Sequence, residues 1–134
     1  MFSNSTKYGI RAIVYMMKNK SSERNTVVDM ASRLKIPQPF LSKVLQQLAK
    51  SDIISSTKGR GGGFYLTKDN MQRPLVDVVV CIEGHNVFNK CILGLEVCSD
   101  DNPCILHPEY KVFKESIEKA IIEQSVETLT NYSS

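Results

Sequence analysis

Four of the five residues at positions 59–63 are glycine, and two short runs suited to β-strands flank them, Ile53-Ile54-Ser55-Ser56 and Phe64-Tyr65-Leu66-Thr67. Glycine adopts positive φ without steric cost, so residues 57–63 read as the turn of a β-hairpin. A phosphate-cradling nucleotide loop is the rival reading of a glycine run. No helix follows these glycines, however, and the Walker spacing is absent. The first half of the chain is thereby limited to a fold that ends in a small two-stranded ribbon.

What precedes the ribbon is helical. Residues 4–19 carry Ile10, Ile13, Val14 and Met17 at one-face spacing, with Asn4 or Ser5 able to cap. Thr26 caps a second, short helix whose inner stripe is Val27, Met30, Ala31 and Leu34, with Asp29 as a weak capping-box partner. Lys35-Ile36-Pro37 makes a tight turn, because Pro37 disfavours helix at the residue before it. Pro39 suits the first turn of a third helix, which buries Leu41, Val44, Leu45 and Leu48 and ends near Ser51. Two short helices joined by a tight turn form a helix-turn-helix candidate, and a hairpin directly after it is a wing.

The buried stripe of the third helix leaves Gln38, Pro39, Ser42, Lys43 and Gln46 facing outward. A merely solvated helix face has the same pattern; the wing favours a DNA reader. In such a reader Gln38, Ser42 and Lys43 are placed to reach bases, glutamine pairing with adenine and lysine with guanine or phosphate. Lys58 and Arg60 occupy the wing tip, where glycines, Gly61 among them, let backbone N–H groups approach phosphates and arginine can enter the minor groove.

Charge divides the chain in the same place. Up to Lys68 there are twelve Lys and Arg against three acids, a charge of +9; beyond it five stand against eleven, −6, within a net +3. A field of one sign over half a small protein draws in a polyanion such as double-stranded DNA. No uncharged apolar run approaches the ~20 residues of a membrane span, and Asp77 interrupts the best, residues 74–82. The N-terminus lacks a signal peptide's apolar core and cleavage site, so a cytoplasmic location with reduced thiols is expected.

The acidic half opens with Arg73-Pro74 and a helix from Leu75 to Ile82 that stops at Gly84. Cys81, among valines and isoleucine, reads as a small packed hydrophobe, and His85 as a capping or solvated residue. A loop covers residues 86–108, and a long helix is expected over residues 109–129. Phe113, Ile117, Ala120 and Ile121 lie on one side of that helix; Val112, Ile122, Val126 and Leu129 lie nearly opposite. Two apolar sides cannot both be covered by one small domain, which predicts a homodimer with paired recognition helices.

Cys91, Cys98, Cys104 and His107 crowd into that loop within seventeen residues. Three thiolates and an imidazole are a full set of four metal ligands. The spacing Cys-x6-Cys-x5-Cys-x2-His lacks the short knuckle of zinc fingers, and wide gaps suit a larger object, a [2Fe–2S] cluster. Structural zinc and a loop holding no metal stay open. No Ser/His/Asp constellation or paired carboxylates support an enzyme, and an electron carrier has little use for a basic half with a wing.

The whole order of these parts resembles the Rrf2 family of bacterial winged-helix regulators. Its most specific pieces here are Lys58-Gly59-Arg60-Gly61-Gly62-Gly63-Phe64 and the three cysteines with Cys104-Ile105-Leu106-His107. The resemblance spans roughly residues 2–128. It implies that Cys91, Cys98 and Cys104 ligate a cluster and that His107 is the fourth ligand, as in the family's iron–sulfur assembly regulators. The family's nitric-oxide sensors use an acid in the first helix, where this chain has Thr6, Lys7 and Tyr8. Cluster-free cysteine-metabolism repressors share the fold, and the first cysteine gap is six residues here against the usual five.

The expectation is a mainly α fold with a small β-hairpin, a winged helix-turn-helix plus a long C-terminal dimerisation helix. Residues 1–68 form the DNA-binding part and residues 69–134 the sensor loop and dimer helix, together one compact unit. The expected function is a dimeric repressor sensing redox state, nitric oxide or iron–sulfur status. The alternative is a cluster-free repressor answering to a protein or small-molecule effector.

Overall fold

The computed structural model describes the chain except residues 1, 20–23, 60–61, 92, 94, 96–99, 102 and 132–134. Helix α1 (Asn4–Lys18) is capped by Ser3, whose hydroxyl accepts from the Thr6 N–H, one residue earlier than expected. It packs across α3 (Gln38–Lys50) and α5 (Leu75–Glu83). Gly9 permits that crossing: a Cβ there would meet Ile82 Cδ1 at 2.9 Å and Val44 Cγ1 at 3.2 Å. Helix α2 (Val27–Leu34) starts at the Thr26 cap and ends at Lys35, which turns left-handed at φ 57°. Ile36, buried, then bonds back to the Ala31 carbonyl, and the chain enters α3 two residues later.

The hairpin is short. β1 (Ser55–Thr57) pairs antiparallel with β2 (Gly63–Tyr65) in the register Ser55–Tyr65, Ser56–Phe64 and Thr57–Gly63. Ile53 and Ile54 precede the ladder instead of joining it, both buried in the core. A further bridge joins Phe64 to Asn25, through reciprocal N–H···O bonds of 2.9 Å. Gly63 allows this approach, since a Cβ there would lie 2.7 Å from the Asn25 carbonyl oxygen.

Helix α4 (Lys68–Gln72) was not expected from the periodicity. It is too short to show a stripe, and a capping box makes it: Thr67 Oγ1 accepts from the Asn70 N–H while Asn70 Oδ1 accepts from the Thr67 N–H. Buried Asn70 also takes the Ser55 hydroxyl and donates to the Asp52 carbonyl, which ties α4 to the wing base.

The last helix, α6 (His107–Glu123), starts two residues earlier and ends six earlier than the expected 109–129. At Gln124 the backbone becomes extended (ψ 149°) and the chain turns back. Gln124 accepts from the Leu75 N–H, Val126 donates to the Arg73 carbonyl (both 2.8 Å), and a 3-10 turn covers Val126–Asn131. The second apolar stripe is therefore split. Val126 is fully buried and Leu129 packs on the core, whereas Val112 and Ile122 on α6 stay 69% and 55% exposed. Phe113, of the first stripe, is exposed as well.

The main core gathers α1, α2, α3, Ile53 and Ile54 with Val78 of α5 and Val126 of the C-terminal turn. Val79, Val87 and Phe88 make a smaller cluster where a 3-10 turn (Val87–Asn89) follows α5. Cys91 and Tyr110 form a third, with Cys104 against them.

Candidate nucleic-acid interface and metal centre

The outer face of α3 follows from its inner one. Leu41, Val44, Leu45 and Leu48 are buried, so the helix turns Gln38, Lys43 and Gln46 to solvent. Ser42 is half-buried, and its hydroxyl accepts from Gln46 Nε2 at 3.2 Å, so that two outward groups hold one another in place. No acid occurs anywhere in α3. Phe40, 61% exposed on the same helix, is a surface aromatic that attention to polar residues overlooked. In the wing Lys58 is exposed, and Gly62 N–H closes the turn on the Gly59 carbonyl at 3.0 Å. The other two wing residues singled out above, Arg60 and Gly61, lie outside the described residues.

The cysteine loop brings two of its three thiols together. Cys91 Sγ and Cys104 Sγ are 3.9 Å apart. That separation is far beyond the ~2.05 Å of a disulfide. It does match two thiolates on one tetrahedral ion, since bonds of ~2.3 Å at the tetrahedral angle put sulfurs about 3.8 Å apart. Cys91 is buried, and its sulfur accepts from the Leu93 N–H at 3.4 Å. The donor set and the sulfur separation therefore fit a metal centre. Cys98 lies outside the described residues.

His107 stands differently from its expected role. The turn from Cys104, closed by His107 N–H to the Cys104 carbonyl at 3.0 Å, carries its ring into the first turn of α6, where it is buried. There Nε2 meets Asp100 Oδ1 at 2.8 Å. Lys111, one turn along α6, reaches both Asp100 oxygens at 2.9 and 3.1 Å. Hydrogen bonds from His107 and then Lys111 hold the Asp100 carboxyl down at about 2, and Asp100 in turn pushes Lys111 up. Among the described residues no three His, Cys, Asp or Glu side chains converge on one ion position. The thiol pair is assembled, and the histidine is engaged with a carboxylate.

Cys81 behaves as packing. It is half-buried, and its sulfur lies 3.4 Å from Ser51 Oγ and 3.5 Å from the Gln47 carbonyl, where α5 meets α3.

A family model described as Rrf2, iron-dependent transcriptional regulator, matches residues 2–132. The chain belongs to the Rrf2 family. An HTH-type transcriptional regulator of Aquifex aeolicus is 31% identical, over 98% of this chain and 92% of its own length. The HTH-type transcriptional regulator IscR of Photorhabdus laumondii is 23% identical over 93% of this chain and 76% of its own. In structure the chain is similar to CymR, the global cysteine regulator of B. subtilis, with a TM-score of 0.74 at 16% identity over 100% and 98% of the two chains. That likeness shows the winged-helix fold. Membership makes this Rrf2 protein a transcriptional regulator and not an enzyme. No helix among the described residues is long and apolar enough to cross a membrane.

Proposed function

We propose that this Rrf2 protein is a dimeric DNA-binding repressor, working in the cytoplasm, that senses redox state, nitric oxide or iron–sulfur status through a [2Fe–2S] centre. The observation that carries the reading is the Cys91–Cys104 pair at 3.9 Å, on the loop that leads directly into α6. Cys91 and Cys104 would share one iron, with Cys98 and His107 completing the set. When bound, such a centre takes up or releases an electron at a potential that histidine ligation raises. To ligate through Nε2, His107 has to give up Asp100, which would leave Asp100 to Lys111 alone.

On DNA, Gln38, Ser42 and Lys43 would face base edges, and Phe40 a thymine methyl. Lys58, Arg60 and Gly61 would meet the backbone and minor groove. The proposed division is a reader over residues 1–68 and a sensor and dimer helix over 69–134. The exposed Val112, Phe113 and Ile122 of α6 supply the apolar surface for the second copy.

Anaerobic purification with visible absorbance, iron and sulfide analysis tests the centre. Two irons and two sulfides per chain support it; a colourless, iron-free protein after anaerobic reconstitution refutes it. Zinc in the same site would appear as one metal ion without sulfide. The His107–Asp100 bond favours one second reading, a cluster-free regulator answering to another effector. In that case Cys91→Ala, Cys98→Ala and Cys104→Ala leave DNA affinity and its control unchanged.

A further inference from the structure

Helix α1 has more apolar residues than the core absorbs. Ile13 and Met17 point inward, while Ile10 and Val14 are only half-buried on a neighbouring face. That face borders a trough of about 410 Å3, walled by Ile10, Val14 and Tyr15 of α1, Leu34 at the end of α2 and Leu129 of the C-terminal turn. A smaller hollow of about 210 Å3 shares Val14, Lys18 and Leu129 with it and continues to Met17 and Thr130. Small-molecule sites commonly occupy about 300–1,000 Å3 and combine apolar walls with a few placed polar groups.

Among the described residues the charged side chains lining the trough are Arg11 and Lys18, both cations, and no described acid lines it. Arg11 is positioned: its Nη2 donates to the Leu34 carbonyl at 2.6 Å, at the open end of α2. Among the described residues it makes no other hydrogen bond, so one of its five donors is used. A planar guanidinium held at the mouth of an apolar trough is matched to a carboxylate, which it can take bidentately. At about 30 Å3 per water-sized unit, the trough holds roughly a dozen non-hydrogen atoms.

We propose that this trough is a binding site for an amphipathic organic anion, a medium-chain alkyl carboxylate, with the carboxylate on Arg11 and the chain over Ile10, Val14, Leu34 and Leu129. The site lies away from the cysteine loop. It joins the corner that precedes the recognition helix to the segment that follows α6. A ligand there is a second input to the DNA reader, independent of any metal centre.

Octanoate is the probe, titrated calorimetrically into the full-length protein, with octan-1-ol as the uncharged control. The expected result is saturable binding of one octanoate per chain, with octanol weaker by about tenfold, the loss of one charge-assisted contact. Arg11→Gln should bring octanoate down to the octanol level. Because that change also removes the bond to Leu34, Val14→Trp serves as a second variant: it fills the trough without touching Arg11 and should abolish binding of both. No saturable binding at millimolar octanoate overturns the proposal. So does equal affinity for octanol, or binding that survives Val14→Trp. Octanoate that binds only by splitting a dimer, seen by sedimentation, assigns the trough to a second copy and overturns it too.

Discussion

Replacing Val126 with alanine tests the turn at Gln124 that departs from the expected helix. In the structure Val126 is fully buried in the main core, and its N–H is bonded to the Arg73 carbonyl. The change deletes two methyl groups. At about 0.8 kcal/mol each for transfer, plus a cavity that rigid neighbours only partly close, the cost is about 2 kcal/mol. Urea unfolding reads this as a midpoint lowered by about 1 M for a slope near 2 kcal/mol per M. All proteins are compared metal-free at one concentration, since association contributes to apparent stability. Val28→Ala is the control: Val28 is 59% exposed on α2, and surface changes stay within about 0.5 kcal/mol. Had α6 continued to residue 129, Val126 would lie on its outer stripe and behave like Val28. Equal, small effects for the two variants would therefore refute the fold-back.

Other consequences can be measured alongside. Lys58→Ala should weaken binding to all duplexes alike and lower the salt slope of DNA affinity by about 1, whereas Gln38→Ala should relax specificity at one base pair for about 1–3 kcal/mol; an unchanged slope for the lysine removes it from the interface. Gly9→Val should destabilise by about 1–3 kcal/mol or more, because its Cβ alone would press within 2.9 Å of Ile82, and thermal unfolding would show it. Asp100 is held at about 2 against an ordinary 3.8, so its clasp on His107 and Lys111 is complete above pH 4 and lost as pH falls through 2; carboxyl titration by NMR should find it charged at pH 3.

The first half was legible because its elements are amphipathic and its turns carry their own chemistry. Thr26, Pro37 and the glycine run each act within a few residues, and the structure places α2, α3 and the hairpin beside them. The ladder came out shorter because Ile53 and Ile54 gain more in the core than in pairing across a sheet of two strands. Helix α4 escaped since its signal is one threonine and one asparagine, an unusual capping box. Residues 109–129 looked continuous because no proline or glycine marks the break at Gln124. That break is made by distant partners, the Leu75 N–H and the Arg73 carbonyl, which no local pattern contains. The cysteines were legible as a cluster, while the Asp100–His107 bond across the loop was not, an aspartate among acids having no signature of its own.

On the proposed function, those distant partners also decide how a change at the cysteines would reach DNA. Seventeen residues of helix put the two ends of α6 about 25 Å apart. The first end carries His107 and adjoins Cys104; the last is fastened at Gln124 and Val126 to the corner ahead of α5, which packs on α3. A helix fastened at its last residues by the fold-back, and at its first by the Asp100 bridge and the packing of Tyr110 on Cys91 and Cys104, can pivot about the fold-back when the Asp100 bridge is released. A pivot displaces the exposed Val112 and Phe113, toward the cysteine end, more than Ile122, near the fold-back. In the proposed dimer, metal bound by Cys91 and Cys104 would therefore act on the spacing between the two copies before it disturbs either α3. Affinity for a two-fold site should then respond to the metal centre while affinity for an isolated half-site does not; equal responses would place the coupling inside the protomer instead.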